Sequence, residues 1–269
     1  MPKTDFLTSF SLPEIYGYTI LLVLVTMGIG NYLGRRSVRH GTASDASLGS
    51  AVAATLGLLA FMLAFTFNMA ADLFNQRKVL LLSEVNTLAT TYLRADLLPA
   101  AERRQARALV AKYVELRDIN PKSVPDFDQR IAASEAVQDQ LWQLVARLSA
   151  AGYDGERLQG FYEPLNQLID AHTSRLYVGI RYRIPTPIWV VLYAITALAM
   201  FGIGFQLGTG RRGSPQVALT LALAFSVVIL LIADLDRGAE GWLLVEQTPM
   251  SELNARLQRA ERAQHSPVD

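Results

Sequence analysis

The chain of 269 residues contains no cysteine, which excludes disulfides, thiolate catalysis and cysteine-ligated metals. The lack of cysteine does not report the compartment. Its three histidines, at positions 40, 172 and 265, are too scattered to form a metal site by spacing, and His172 reads as a surface or packing residue. Charged residues are scarce, at 18%, against roughly 25% in ordinary soluble domains. The net charge of +1, with no long run of Lys and Arg, gives no support for a nucleic-acid partner. There is no internal repeat, no low-complexity segment and no alternating strand pattern. The stretch "GTGRRG" is rich in glycine but joins two apolar runs and follows no strand, so it is not a phosphate loop. Neither a nucleophile paired with a base nor a metal cluster is visible within the apolar runs, so the chain is not expected to be an enzyme.

What the sequence has is hydrophobic residues, 51% of the total. Residues 15–34, 46–71, 184–210 and 213–233 carry no charge. Each run reaches the roughly 20 residues that cross a bilayer as a helix, and lipid leaves backbone groups no partner outside the helix itself. The expected fold is therefore all-α and polytopic, with four transmembrane helices. The first run is not read as a signal peptide, because acidic Glu14 precedes it and "GRRSVRHG" follows it. Tyr16, Tyr18, Tyr32, Tyr182, Trp189 and Trp242 stand where membrane interfaces are expected. The short loops predict two antiparallel hairpins, residues 1–71 with spans at about 15–34 and 48–71, and residues 184–234 with spans at about 185–208 and 214–233.

Between the hairpins, residues 72–183 are rich in Ala, Leu, Arg, Glu and Gln and read as a helical extramembrane domain. No Gly or Pro interrupts residues 72–98, so span two is expected to continue as a rod into that domain. Helices are predicted over 100–118 and 127–152, and a third, interrupted or bent near Pro164, leads into span three. Residues 235–269 hold an acidic segment and an amphipathic helix with Leu253 and Leu257, which docks on the helical domain or lies on the membrane.

The stretch "AFTFNMAADLFNQRK", residues 64–78, carries polar residues into the end of span two. At about 100° per residue, Phe61, Phe65, Asn68 and Asp72 fall within roughly 40° of one line, and Gly57, Ala54 and Ser50 extend it backward. Asn75, Val79 and Asn86 extend it forward. An amide or carboxylate inside a bilayer costs several kcal/mol unless it meets protein or water. Rings of stacked phenylalanines form a hydrophobic constriction, so the stripe reads as a pore lining with Phe61, Phe65 and Asn68 at the constriction. Gly57, Asp72, Asn75 and Val79 line the pore or its mouth, and one copy encloses too little, so an oligomer is required. The opposite face holds Leu59, Leu63 and other lipid-compatible residues; the small residues and phenylalanines of the stripe also fit close packing between membrane helices.

This stretch resembles span two of the bestrophin family of anion channels, through Phe65, Asn68, Ala70, Phe74, Arg77 and Lys78. "IADLDRGAEGW" is similar to the acidic segment after the last bestrophin span, with Asp234, Asp236 and Glu240 at its carboxylate positions. The order of elements matches over most of the chain. The resemblance is closest to bacterial bestrophin-like proteins, where "SEVNTLATTYLRADLLP" and "DLDRGAEGW" look like signature stretches. Where bestrophins have a Pro-Phe-Gly turn, this chain has Arg237, Gly238 and Ala239. The resemblance implies a homopentameric channel in the cell (inner) membrane, passing inorganic anions such as chloride, with the helical domain and both termini cytoplasmic. It also makes Asp234, Asp236 and Glu240 a candidate cation clasp for Ca2+, although three carboxylates fall short of the six to eight oxygens Ca2+ takes. No other cofactor is expected. The arginines of the short loops, Arg35, Arg36, Arg39, Arg211 and Arg212, would place those loops in the cytoplasm instead; the resemblance is followed. The alternative function is a non-conducting membrane scaffold or sensor whose helical domain binds a partner.

Overall fold

The computed structural model describes residues 10–39, 45–119, 127–210, 214–238 and 241–265. Among them are eight α-helices and no strand: α1 (Leu12–Arg39), α2 (Asp45–Arg94), α3 (Ala100–Arg117), α4 (Phe127–Ala150), α5 (Gly155–Leu176), α6 (Thr186–Thr209), α7 (Pro215–Asp236) and α8 (Thr248–His265). Four of them, α1, α2, α6 and α7, are long and apolar enough to cross a membrane. With 50 residues, α2 is about 75 Å long. The chain divides into two compact units, Met1–Leu73 with Arg183–Arg237 and Gly241–Leu243, and Phe74–Tyr182 with Gly238–Glu240 and Leu244–Asp269.

In the membrane-spanning unit the most extensively packed pair is α1 with α6, not the chain neighbours that short loops suggest. The cause is glycine. Gly30 and Gly34 on α1 face Gly204 and Gly208 on α6, and a Cβ at Gly208 would meet the Arg35 main-chain nitrogen at 2.8 Å. A Cβ at Gly30 would meet the Phe205 nitrogen at 2.8 Å. Small residues that let backbones touch supply the dispersion contact that holds helices together in lipid. The Thr19 hydroxyl lies 3.0 Å from the Tyr193 hydroxyl at the other end of the pair. Partner numbers rise together along both helices, so α1 and α6 run parallel. Trp189, expected at an interface, is buried at 4% exposure and stacks on Tyr193, with centroids 6.1 Å apart. Hydroxyls within the spans are satisfied along their own helices, as where Thr66 donates to the Met62 carbonyl and Thr196 to that of Leu192.

The helical unit has a conventional apolar core. Leu81 and Leu88 of α2 meet Val110 and Val114 of α3, Leu141 and Leu144 of α4, and Phe161 and Leu165 of α5. Leu253 and Leu257 of α8 belong to that core, so the terminal helix docks on the helical domain. The Asp118 carboxylate accepts from Asn254 at 2.8 Å and from Ser251 at 2.5 Å. Gly152 closes α4 at φ +71, with Tyr153 N–H on the Leu148 carbonyl and Gly152 N–H on that of Ser149. This helix stop requires a left-handed residue. The Asp154 carboxylate then accepts from the main-chain nitrogens of Glu156 and Arg157 to start α5. Helix α5 runs through Pro164 without the expected interruption. The break comes later, at a π-helical turn over Tyr177–Arg181 and extended residues up to Pro185.

Candidate functional site

Along α2, the buried positions Val52, Leu59, Leu63, Thr66, Ala70, Arg77, Leu81, Glu84, Leu88 and Thr91 recur at three-, four- and seven-residue steps. They form one narrow stripe over the length of the rod. Leu59 and Leu63 therefore pack within the protomer instead of facing lipid; they are 0% and 4% exposed. Phe61 and Phe65 lie two residues further on, about 200° around the helix. They are 64% and 51% exposed, and Val79 is 64% exposed. Asn68, Asp72 and Asn75 are exposed too. A Cβ at Gly57 would meet nothing within 4 Å, so Gly57 packs closely on none of the described residues. The Asn68 side-chain amide donates to Asp72 Oδ2 at a long 3.4 Å, and Lys78 lies over the Phe74 ring, 4.7 Å from its centroid. Helix α2 thus presents one exposed face, apolar at Phe61 and Phe65 and polar at Asn68, Asp72 and Asn75.

The acidic segment is folded onto main chain. Both Asp234 carboxylate oxygens accept N–H groups, from Trp242 at 2.9 Å and Leu243 at 3.0 Å. Gly241, at φ +121, makes the return that brings them there, and a side chain at this position would collide with Asp234. Asp236 Oδ1 accepts from the Ile184 N–H at 2.8 Å, and the Asp236 carbonyl accepts from Arg183. Among the described residues, no three His, Asp or Glu side chains converge to hold a metal; Glu240 lies outside the described residues. Gly238 sits where a Cβ would press on the Gly179 carbonyl and stand 3.1 Å from Arg77 Nε.

The helical unit also contains a charge cluster that the sequence does not announce. Glu84 on α2 is fully buried and is gripped by two guanidiniums, Arg117 Nε on α3 at 3.1 Å and Arg175 Nη1 on α5. The Tyr113 hydroxyl donates to Glu84 Oε1 at 2.7 Å and lies 2.7 Å from His172 Nδ1. Gln138 on α4 donates to the same hydroxyl at 3.4 Å, and Arg175 reaches Gln247 at 2.6 Å. Burial alone would raise the Glu84 pKa, but Arg117 and Arg175 outweigh it and hold it at about 2. Burial, reinforced by Arg117 and Arg175 against Glu84, pushes His172 down to about 4. The signal for this cluster was spacing: Glu84 interrupts the stripe Arg77–Leu81–Leu88, and Tyr113 with Arg117, and His172 with Arg175, sit one turn apart on buried faces.

A helical membrane protein with four bilayer-length helices and a helical domain between the second and third is the class that this architecture defines. The family model for a Bestrophin-like domain matches residues 20–250. The chain belongs to the bestrophin-like family. Comparison with curated proteins finds no match. Among solved structures, the chain is similar to a variant of a bacterial bestrophin homologue from Klebsiella pneumoniae, at 14% identity and a TM-score of 0.68 over 93% of this chain and 98% of that one. A second variant of the Klebsiella homologue matches at 13% identity and a TM-score of 0.64, over 92% of this chain and 99% of the other.

Proposed function

We propose that the protein is a homo-oligomeric ion channel, with α2 of each copy turned to a common axis and Phe61 and Phe65 forming the constriction. One observation carries this reading: the Phe61–Phe65–Asn68–Asp72 face lies opposite the stripe that the protomer buries, and among the described residues it stays exposed. Family membership supports a channel, and the bestrophin resemblance favours five copies, inorganic anions such as chloride, and a helical domain with both termini in the cytoplasm. Gly57, Asn68, Asp72, Asn75 and Val79 then line the path or its mouth. Asp234 and Asp236 act as a brace on the main chain instead of a Ca2+ clasp, a reading supported by the N–H groups they already hold.

A second reading differs only in the sign of the ion. Asp72 is the one ionisable side chain on the stripe between Ser50 and Val79, and carboxylate rings favour cations. Planar-bilayer recordings with the purified protein test both. A conducting wild type whose current grows in Phe65→Ala supports the constriction, and reversal potentials in a KCl gradient with Asp72→Asn assign the ion. Silence from both wild type and Phe65→Ala across pH and Ca2+ would contradict the channel and favour the non-conducting scaffold.

A further inference from the structure

The Glu84 cluster does not take part in the proposed conduction, and its proton positions can be assigned from geometry. Ionised Glu84 only accepts hydrogen bonds. The single Tyr113 proton therefore goes to Glu84, and the Tyr113 oxygen accepts from His172. That places the His172 ring proton on Nδ1 and leaves a lone pair on Nε2. Nε2 is buried and has no hydrogen-bond partner, an arrangement that a satisfied core histidine does not show. Glu135 Oε1, on α4, stands 3.9 Å from it, and the Glu135 side chain is 56% exposed. The Nε2 lone pair thus lies beside a carboxylate that itself reaches solvent.

We propose that Nε2 of His172 is a proton-binding site, and that filling it loosens the ionic lock that joins α2, α3 and α5 in the helical unit. The groups facing the ring are Glu84 from α2, Tyr113 and Arg117 from α3, Glu135 from α4 and Arg175 from α5. A second ring proton adds a third cation beside Arg117 and Arg175, while Glu84 is the one carboxylate inside the lock. Glu135 receives the new N–H from the solvent side, which draws the ring away from Tyr113. The depressed His172 pKa fixes the sign. An opened, solvated histidine near its ordinary 6.5 takes the proton more readily than the closed one at about 4, so the closed state weakens as pH falls below about 6.5. Between pH 7 and pH 5 the opening equilibrium should shift roughly 20-fold.

The test uses the full chain in lipid nanodiscs and does not depend on conduction. Hydrogen exchange, corrected for intrinsic rates, is followed over residues 81–88, 110–117 and 168–176 at pH 7 and pH 5. Wild type should lose roughly 20-fold in protection, whereas His172→Asn, which keeps a donor towards Tyr113 but cannot take up a proton, should lose almost none. An equal loss in both, or no loss in wild type, overturns the proposal. If His172→Asn does not fold, ring 15N spectra of the wild type decide alone. A proton on Nδ1 and a midpoint well below 6.5 uphold it; a proton on Nε2 or a midpoint at or above 6.5 overturns it.

Discussion

In the membrane-spanning unit α1 and α6 are joined by glycine and main chain, with Gly30 and Gly34 against Gly204 and Gly208. In the helical unit α2, α3 and α5 are joined by a fully buried carboxylate held between two guanidiniums. The surroundings explain the difference. Lipid offers an apolar side chain nearly what the protein interior offers, so helices in the membrane gain by bringing backbones close. Outside the membrane, water drives Leu88, Leu141, Phe161 and Leu253 together, and this core can carry a buried ion pair. Such a pair adds little net stability, but its three charges come from three helices and tie them to one another. The α1–α6 contact therefore depends on the absence of atoms, and the lock depends on the presence of charge.

Glu84→Ala should break the comparison hardest on the helical side. It leaves Arg117 and Arg175 buried without their counter-charge, which costs roughly 3–5 kcal/mol. Denaturant unfolding followed by Trp142 fluorescence should show the helical unit lost while the membrane helicity persists. A loss below 1 kcal/mol would mean that the cluster is more hydrated than its burial implies. Acid acts on the same lock. Lowering pH from 7 to 4 should remove about 3 kcal/mol through His172, whose folded pKa lies below its unfolded one. Glu84 adds to the loss as pH falls further towards about 2. The membrane-spanning unit should show no comparable slope.

A smaller effect sharpens the membrane side. Gly204→Ala drives a Cβ into the Met27 main chain and should cost roughly 1–3 kcal/mol of stability. Gly57→Ala, with nothing within 4 Å, should be neutral or slightly stabilising in the protomer. Thermal unfolding in detergent separates the two, and equal effects would show that glycine position does not govern the pairing.

Much of this was legible in the sequence. Uncharged runs give the spans directly, and the lack of Gly and Pro over residues 72–98 gives the long α2 rod. That Phe61, Phe65, Asn68, Asp72, Asn75 and Val79 share one face follows from helical spacing; that the face is exposed does not. What the sequence hid depends on partners remote in the chain. Gly30 and Gly204 lie far apart, so the α1–α6 pairing is invisible where short loops favour α1–α2 and α6–α7. Trp189 is expected at an interface, but its stacking on Tyr193, one turn on, is a contact that this reading does not give. His172 reads as a surface or packing residue; it is buried, and its role in a cluster is hidden because Tyr113, Glu84 and Glu135 come from three other helices. The N–H partners of Asp234 and Asp236, at Ile184, Trp242 and Leu243, are main-chain groups that carry no residue signature.

The most direct test of the channel account is a cryo-EM map of the protein in nanodiscs, contoured along its symmetry axis. The account predicts several copies, five by resemblance, with α2 innermost and the Phe61 and Phe65 rings pointing at one another across the axis. A monomer, or an oligomer whose Phe61 and Phe65 face acyl chains, would contradict it.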